Sequence, residues 1–205
     1  MTLTGFPLYD ERGATGVPPD LDAFLEEARA AGDPPVIFAP GSGNRQARRF
    51  FTAACDACRR LGRRGVLLTR FTEHLPHPLP EGVRRADYTP FSSVLPRAAA
   101  LVHHGGIGTA AQALAAGRPQ LVMPMTFDQP DNAARLQRLG VARTLPPVRF
   151  SGATVARELA ALLESATVAR KCTDFARRFD GIDPVGHTCE VIEGCGRRPA
   201  AAVVS

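Results

Sequence analysis

No run of apolar residues in this sequence approaches the roughly 18 that a membrane-crossing helix requires, so no spanning segment is expected. Lysine is almost missing. Lys171 is the only one among 25 basic residues, and the arginines behind the net charge of +5 occur singly or in pairs such as Arg63 and Arg64. Such a bias is compositional before it is functional. With no long basic run and no interleaved aromatics, the pattern of a nucleic-acid binder is absent. The modest positive balance suits an anionic ligand or an anionic membrane face. The opening stretch, residues 1–10, lacks the basic start and long apolar core of a secretory signal, which makes the cytoplasm the expected location. Five cysteines, an odd number without a secretory signal, argue against a disulfide framework. Cys55 and Cys58 fall three apart inside an expected helix, and Cys172, Cys189 and Cys195 lack zinc spacing, so the thiols are read as packing groups with no metal site.

What is present is enough for one well-buried domain: 205 residues, 44% apolar and 22% charged. Residues 1–19, rich in Pro, Gly and charge, read as a linker, from which a further portion upstream is expected. Residues 20–180 read as the domain, opened by a helix that Asp20 can cap. Residues 36–39 are apolar without alternation, as a strand buried on both faces requires. Further strands are expected at 66–68, 83–87, 99–103, 121–123 and 141–145, with helices between them and two more at 155–164 and 166–179. Residues 181–205 read as a last helix and tail that packs on whatever lies beyond this domain.

Strands alternating with helices at this spacing predict an α/β fold with a doubly wound, Rossmann-like parallel sheet of six strands in the order 3-2-1-4-5-6. In that order the first and fourth strands are neighbours at the switch point where ligands bind. Both are followed by glycine-rich loops, Gly41-Ser42-Gly43 and Gly105-Gly106-Ile107-Gly108-Thr109. Glycines between a strand and a helix let backbone N–H groups approach a ligand, and the helix N-terminus favours negative charge. Thr109 and Ser42 add hydroxyls from the two sides, and His104 can donate to a phosphate oxygen. His103 reads as a satisfied structural residue. Gly106-x-Gly108-x-x-Ala111 also fits the dinucleotide fingerprint, but it follows the fourth strand instead of the first. The next strand ends Met123-Pro124-Met125, without the acid that would hold a ribose.

From 87 to 132 the sequence resembles the donor-binding signature of family 1 glycosyltransferases, the UDP-glycosyltransferase superfamily. The residues that carry the resemblance are D-Y-T-P-F-S-S-V-L-P, then H-H-G-G-I-G-T-A-A-Q-A-L-A-A-G-R-P-Q-L-V-M-P, then F-D-Q-P-D-N. V-I-F-A-P-G-S-G resembles the family's first strand and loop, and G-F-P-L-Y-D the connector between its two domains. The resemblance implies the C-terminal, donor-binding domain of a GT-B enzyme. Tyr88 then stacks on the nucleobase, with the backbone from Thr89 to Phe91 reading its edge. Tyr88 and Phe91 depart from the tryptophan and glutamine of the plant members. His104, Gly106, Gly108, Thr109 and Ser42 match the diphosphate contacts, Gln112 takes the place of a glutamate on the ribose, and Asp128 and Gln129 match the donor-sugar pair. Asp128 can also cap the helix that follows.

The H-H-G-G-I-G-T and F-D-Q-P-D-N-A-A-R stretches are similar to bacterial enzymes of the rhamnolipid-rhamnosyltransferase type, which implies a small-molecule or lipid acceptor and peripheral membrane contact in the whole enzyme. The implied chemistry is metal-independent, inverting transfer of a hexose from a UDP- or TDP-sugar to a hydroxyl. No other cofactor is implied. The catalytic base and the acceptor site are expected in an N-terminal domain that this chain lacks, and the chain alone is expected to be inactive. Two alternatives stand beside this reading: the donor subunit of a split two-chain enzyme, and a non-catalytic nucleotide-binding module.

Overall fold

Four apolar residues with no polar alternation, Val36–Ala39, form β1, and all four are buried. A strand covered on both faces needs apolar side chains at every position. Val36 and Phe38 enter one hydrophobic cluster, and Ile37 and Ala39 enter a second on the opposite face. The computed structural model describes residues 2–10, 16–41 and 47–196. Around β1 it arranges β2 (Gly65–Leu68), β3 (Val83–Ala86), β4 (Ala100–His103), β5 (Gln120–Val122) and β6 (Ala142–Thr144). The six strands are parallel in the order β3-β2-β1-β4-β5-β6, as the sequence pattern predicts.

Helices cover both faces. On one, α2 (Arg48–Leu61) packs on α6 (Gly152–Leu163), and Phe50 stacks on Phe150 at 5.1 Å between ring centroids. Phe38 of β1 meets Phe50 edge-on at 6.4 Å, so this aromatic group joins α2 to the sheet. Such ring pairs contribute about 0.5–1.5 kcal/mol beyond the area they bury. On the other face lie α1 (Pro19–Ala30) and the short α3 (Phe91–Val94), whose Leu21, Phe24, Leu25 and Val94 pack against Ile37, Val66 and Leu101. A third cluster joins α4 (Ile107–Ala115), α5 (Gln129–Leu139) and α7 (Ala166–Ala176) beside β5 and β6. The last helix, α8 (Pro184–Gly196), leaves Val185 and Ile192 exposed.

Several local expectations are corrected. Helix α1 starts one residue before Asp20, its N-cap is Pro18, and no side chain caps it. Asp20 instead lies with Asp22 in the first turn, where a carboxylate still opposes the helix dipole. Asp128 occupies the N-cap position of α5 without making a side-chain cap bond: its backbone is already helical, at φ −76° and ψ −12°, and its Oδ2 accepts from Asn132 Nδ2 at 2.7 Å. Helix α6 begins at Gly152, three residues before the expected start, behind a capping box in which Ser151 and Thr154 exchange hydrogen bonds. Residues 95–97 and 177–179 tighten into 3-10 turns where continuous helix was expected.

Candidate functional site

A cavity of about 820 Å³ opens beyond the C-terminal ends of β1, β2, β4 and β5. The sheet order dictates its layout. The ends of β2 and β3 supply Leu68, Thr69, Arg70, Phe71, Asp87 and Tyr88 at one end, with Phe91 from α3. The adjacent ends of β1 and β4 supply Pro40, Gly41, His104, Gly106, Gly108 and Thr109 in the middle. The loop after β5 supplies Met125, Thr126, Phe127 and Gln129 at the far end.

Two adjacent histidines have opposite fates. His103 ends β4 and is fully buried; its Nε2 lies 2.9 Å from Gln120 Oε1, and its Nδ1 accepts from the Gly105 N–H at 3.1 Å. An Nδ1 that accepts carries no proton, so the ring is the neutral Nε2–H form. Burial pulls its pKa down to about 3, and neighbouring His104 pushes the same way. It is the structural residue expected, and it holds the turn into the glycine loop.

His104 lies one residue further, in the cavity wall. A side chain at Gly41 would lie 3.0 Å from its ring, and one at Gly106 would lie 2.6 Å from Nε2. The imidazole is therefore seated between the two loops, and glycine at both positions is what gives it room. Gly41 also has φ +97°, which no other residue adopts without strain. His104 Nδ1 is buried and has no well-aligned hydrogen-bond partner among the described residues. Burial lowers its proton affinity below the usual imidazole value, while the Ala39 carbonyl and the Asp128 carboxylate act against that. An anion in the cavity would push the same way as Asp128.

Behind the phosphate-loop candidate, α4 begins at Ile107 with Gly106 as its N-cap and no side chain capping it. Its first N–H groups are thus presented at the cavity, where Ile107, Gly108 and Thr109 line the wall. Asn132 ties this loop to the next one, because its Nδ2 donates to Gly105 O at 3.0 Å and to Asp128 Oδ2. Gln129 turns its Oε1 back onto the N–H groups of Met125 (2.9 Å) and Thr126 (3.2 Å), which shapes the loop after β5. Phe127 in that loop has φ +57°, an uncommon conformation for a bulky residue, and is 93% exposed at the rim.

The structure thus brings Tyr88, Phe91, His104, Gly106, Gly108, Thr109 and Gln129 to one cavity, with Asp128 exposed beside it. Thr89 and Gln112 are buried and stand outside the lining; Thr89 Oγ1 donates to Asp87 O at 3.3 Å. Ser42 lies outside the described residues. Sequence reasoning passed over the β2 contribution, although strand order alone places the end of β2 beside that of β1. It also passed over Asn132, whose signal was its position one helical turn after Asp128. Cys55 and Cys58 are buried in α2, where burial pushes their thiols up to about 11 and about 12. Among the described residues no three His, Cys, Asp or Glu side chains gather as a metal site would need, and no helix is long and apolar enough to cross a membrane.

Comparison with known proteins agrees with this architecture. Residues 66–179 match the family described as "Erythromycin biosynthesis protein CIII-like, C-terminal domain". The chain is 33% identical over 195 residues to O-mycaminosyltylonolide 6-deoxyallosyltransferase of Streptomyces fradiae, a match covering 93% of this chain and 44% of the relative. It therefore spans less than half the length of that relative. Among solved structures, the glycotransferase of kitacinnamycin superposes with a TM-score of 0.73 at 25% identity, over 80% of this chain and 43% of the other. The spinosyn rhamnosyltransferase SpnG, complexed with thymidine diphosphate, shares the fold with a TM-score of 0.70 at 21% identity, over 92% of this chain and 49% of its own.

Proposed function

The chain belongs to the EryCIII-like C-terminal domain family, and from that premise we propose that its cleft binds the nucleoside diphosphate of a sugar donor, as the donor half of a glycosyltransferase. One observation carries the reading: the loops after β1 and β4 converge on His104 at the N-terminus of α4, in the middle of the cavity. The diphosphate sits there, against backbone N–H groups, the positive end of the helix and the imidazole. The base lies toward Tyr88 and Phe91. The sugar lies toward Asp128 and Gln129, whose carbonyl oxygen is held by the loop, so that its amide nitrogen is the end offered to a hydroxyl.

In this reading the donor is a UDP- or TDP-hexose. The acceptor hydroxyl, on a small molecule or a lipid, displaces the diphosphate at the anomeric carbon with inversion. The departing charge develops where α4 and His104 can stabilise it without an added metal ion. The base that takes the acceptor proton belongs to a separate acceptor-binding domain. The whole enzyme works in the cytoplasm.

Calorimetric titration of the chain with TDP, UDP, GDP and NAD tests this, with TDP first because SpnG holds it. TDP or UDP is expected to bind, and His104→Ala to weaken binding about ten- to a hundredfold, the weight of one hydrogen bond to a charged group. Affinity in the unmutated chain should rise as the pH is lowered, since a bound anion favours the proton that burial disfavours on His104. The same sample given TDP-sugar and an acceptor should release no TDP. Preference for NAD, or an affinity indifferent to His104, would overturn the assignment.

A further inference from the structure

Asp10 anchors the described part of the segment ahead of α1 to the cleft. Asp10 Oδ2 accepts from the Ser92 N–H at 2.6 Å, its Oδ1 accepts from the Ser92 hydroxyl at 3.2 Å, and its backbone carbonyl accepts from the Tyr88 hydroxyl at 2.9 Å. These bonds join positions about 80 apart in the chain, and Tyr88 and Ser92 flank Phe91 at the β3 end of the cavity. The other end of the segment is held too: the Thr188 hydroxyl of α8 donates to Pro184 O at 2.6 Å and so accepts from the Thr4 hydroxyl, 2.8 Å away, and Gly5 lies against Pro184. Tyr88 is 52% exposed, so packing alone does not fix its ring. A phenol tethered at its hydroxyl loses the freedom to swing about its side-chain bonds, and an aromatic platform set in advance costs less to order when a flat ligand arrives.

We infer that Asp10 is a positioning residue for the nucleobase end of the cleft: its carboxylate, clamped on Ser92, holds the strap from Thr4 to Asp10 so that its own carbonyl pins the Tyr88 ring. The inference rests on reading the cleft as a nucleoside-diphosphate site. Asp10 touches no ligand and acts through Tyr88 and the start of α3. The strap therefore tunes the hold on the base and leaves the hold on the diphosphate, which belongs to the loops around His104, unchanged.

The test compares binding of TDP with binding of inorganic pyrophosphate, by calorimetry on the full chain, for the unmutated protein, Asp10→Ala, Asp10→Asn and Tyr88→Phe. Cooperative thermal unfolding of each variant establishes that it is folded. Asp10→Ala and Tyr88→Phe are each expected to weaken TDP about five- to tenfold, the range of one neutral hydrogen bond, and to leave pyrophosphate unaltered. Asp10→Asn, whose side-chain carbonyl still accepts from Ser92, is expected to stay within about twofold of the unmutated chain. The double variant Asp10→Ala with Tyr88→Phe should lose little more than either alone, because both remove the same tether. TDP affinity unchanged in Asp10→Ala, or an equal loss for TDP and pyrophosphate, would overturn the inference. Failure of the unmutated chain to bind TDP or pyrophosphate would be a distinct result: it removes the donor-site reading and this inference with it.

Discussion

His103 and His104 are the same side chain one residue apart, and the end of a strand gives them different chemistry. His103 still belongs to β4 and faces a dry interior, where Gln120 and the Gly105 N–H engage both ring nitrogens. His104 has left the strand and meets the cavity. The first has a consequence for stability. A histidine with a folded pKa of about 3 binds its proton mainly in the unfolded chain between that value and the ordinary imidazole value of 6.5. Stability is therefore intact above pH 6.5 and falls as the pH drops below it, by about 1.4 kcal/mol per unit. Between pH 7 and pH 5 this one group should remove about 2 kcal/mol, read as a shift of the urea midpoint. His103→Gln, which cannot titrate, should be less stable at pH 7 yet show a flatter acid limb. Equal acid sensitivity in both proteins would mean another group sets it.

Between residues and the whole lie the two loops and the helix that follows the second. Gly106 has φ −61° and ψ 139°, which alanine adopts freely, so substitution there strains no backbone. What it does is place a methyl group 2.6 Å from His104 Nε2, with Gly41 closing the other side of the ring. Gly106→Ala is therefore expected to displace the imidazole, weakening TDP about tenfold, while the thermal midpoint moves by only a few degrees. A large fall in the midpoint with affinity retained would show that the glycine serves packing instead of the imidazole. The helices behave as their patterns require: α2 buries Phe50, Phe51, Ala54 and Cys58 along one face, and α1 buries Leu21, Phe24, Leu25 and Ala28. Their ends were harder to read, because Pro18, Ser151 and the 3-10 turns are settled by a hydrogen bond or two that periodicity does not register.

At the scale of the whole molecule, the described residues form a sheet with three hydrophobic clusters and one helix, α8, that joins none of them. Ile182, Val185 and Ile192 are all more than half exposed, so this segment adds little apolar burial to the domain. A chain ending at residue 180 should accordingly keep a single cooperative transition, with a midpoint lowered by no more than a few degrees. Loss of cooperativity would show that the domain needs α8 and would move its boundary past residue 180.

Alternating apolar strands and amphipathic helices, read along the chain, determined the parallel sheet and its order, because a strand buried on both faces and right-handed crossovers leave few other arrangements. The same reading located the glycine loop and His104, since a loop that must admit a ligand to its backbone shows its glycines in sequence. The tertiary structure alone decided the rest. It placed Thr89 and Gln112 outside the cavity lining, and it joined Asp10 to Ser92 across 82 positions. Periodicity records which face of an element is apolar. Which polar groups meet across elements depends on how those elements pack, and no local pattern in the chain encodes that distance.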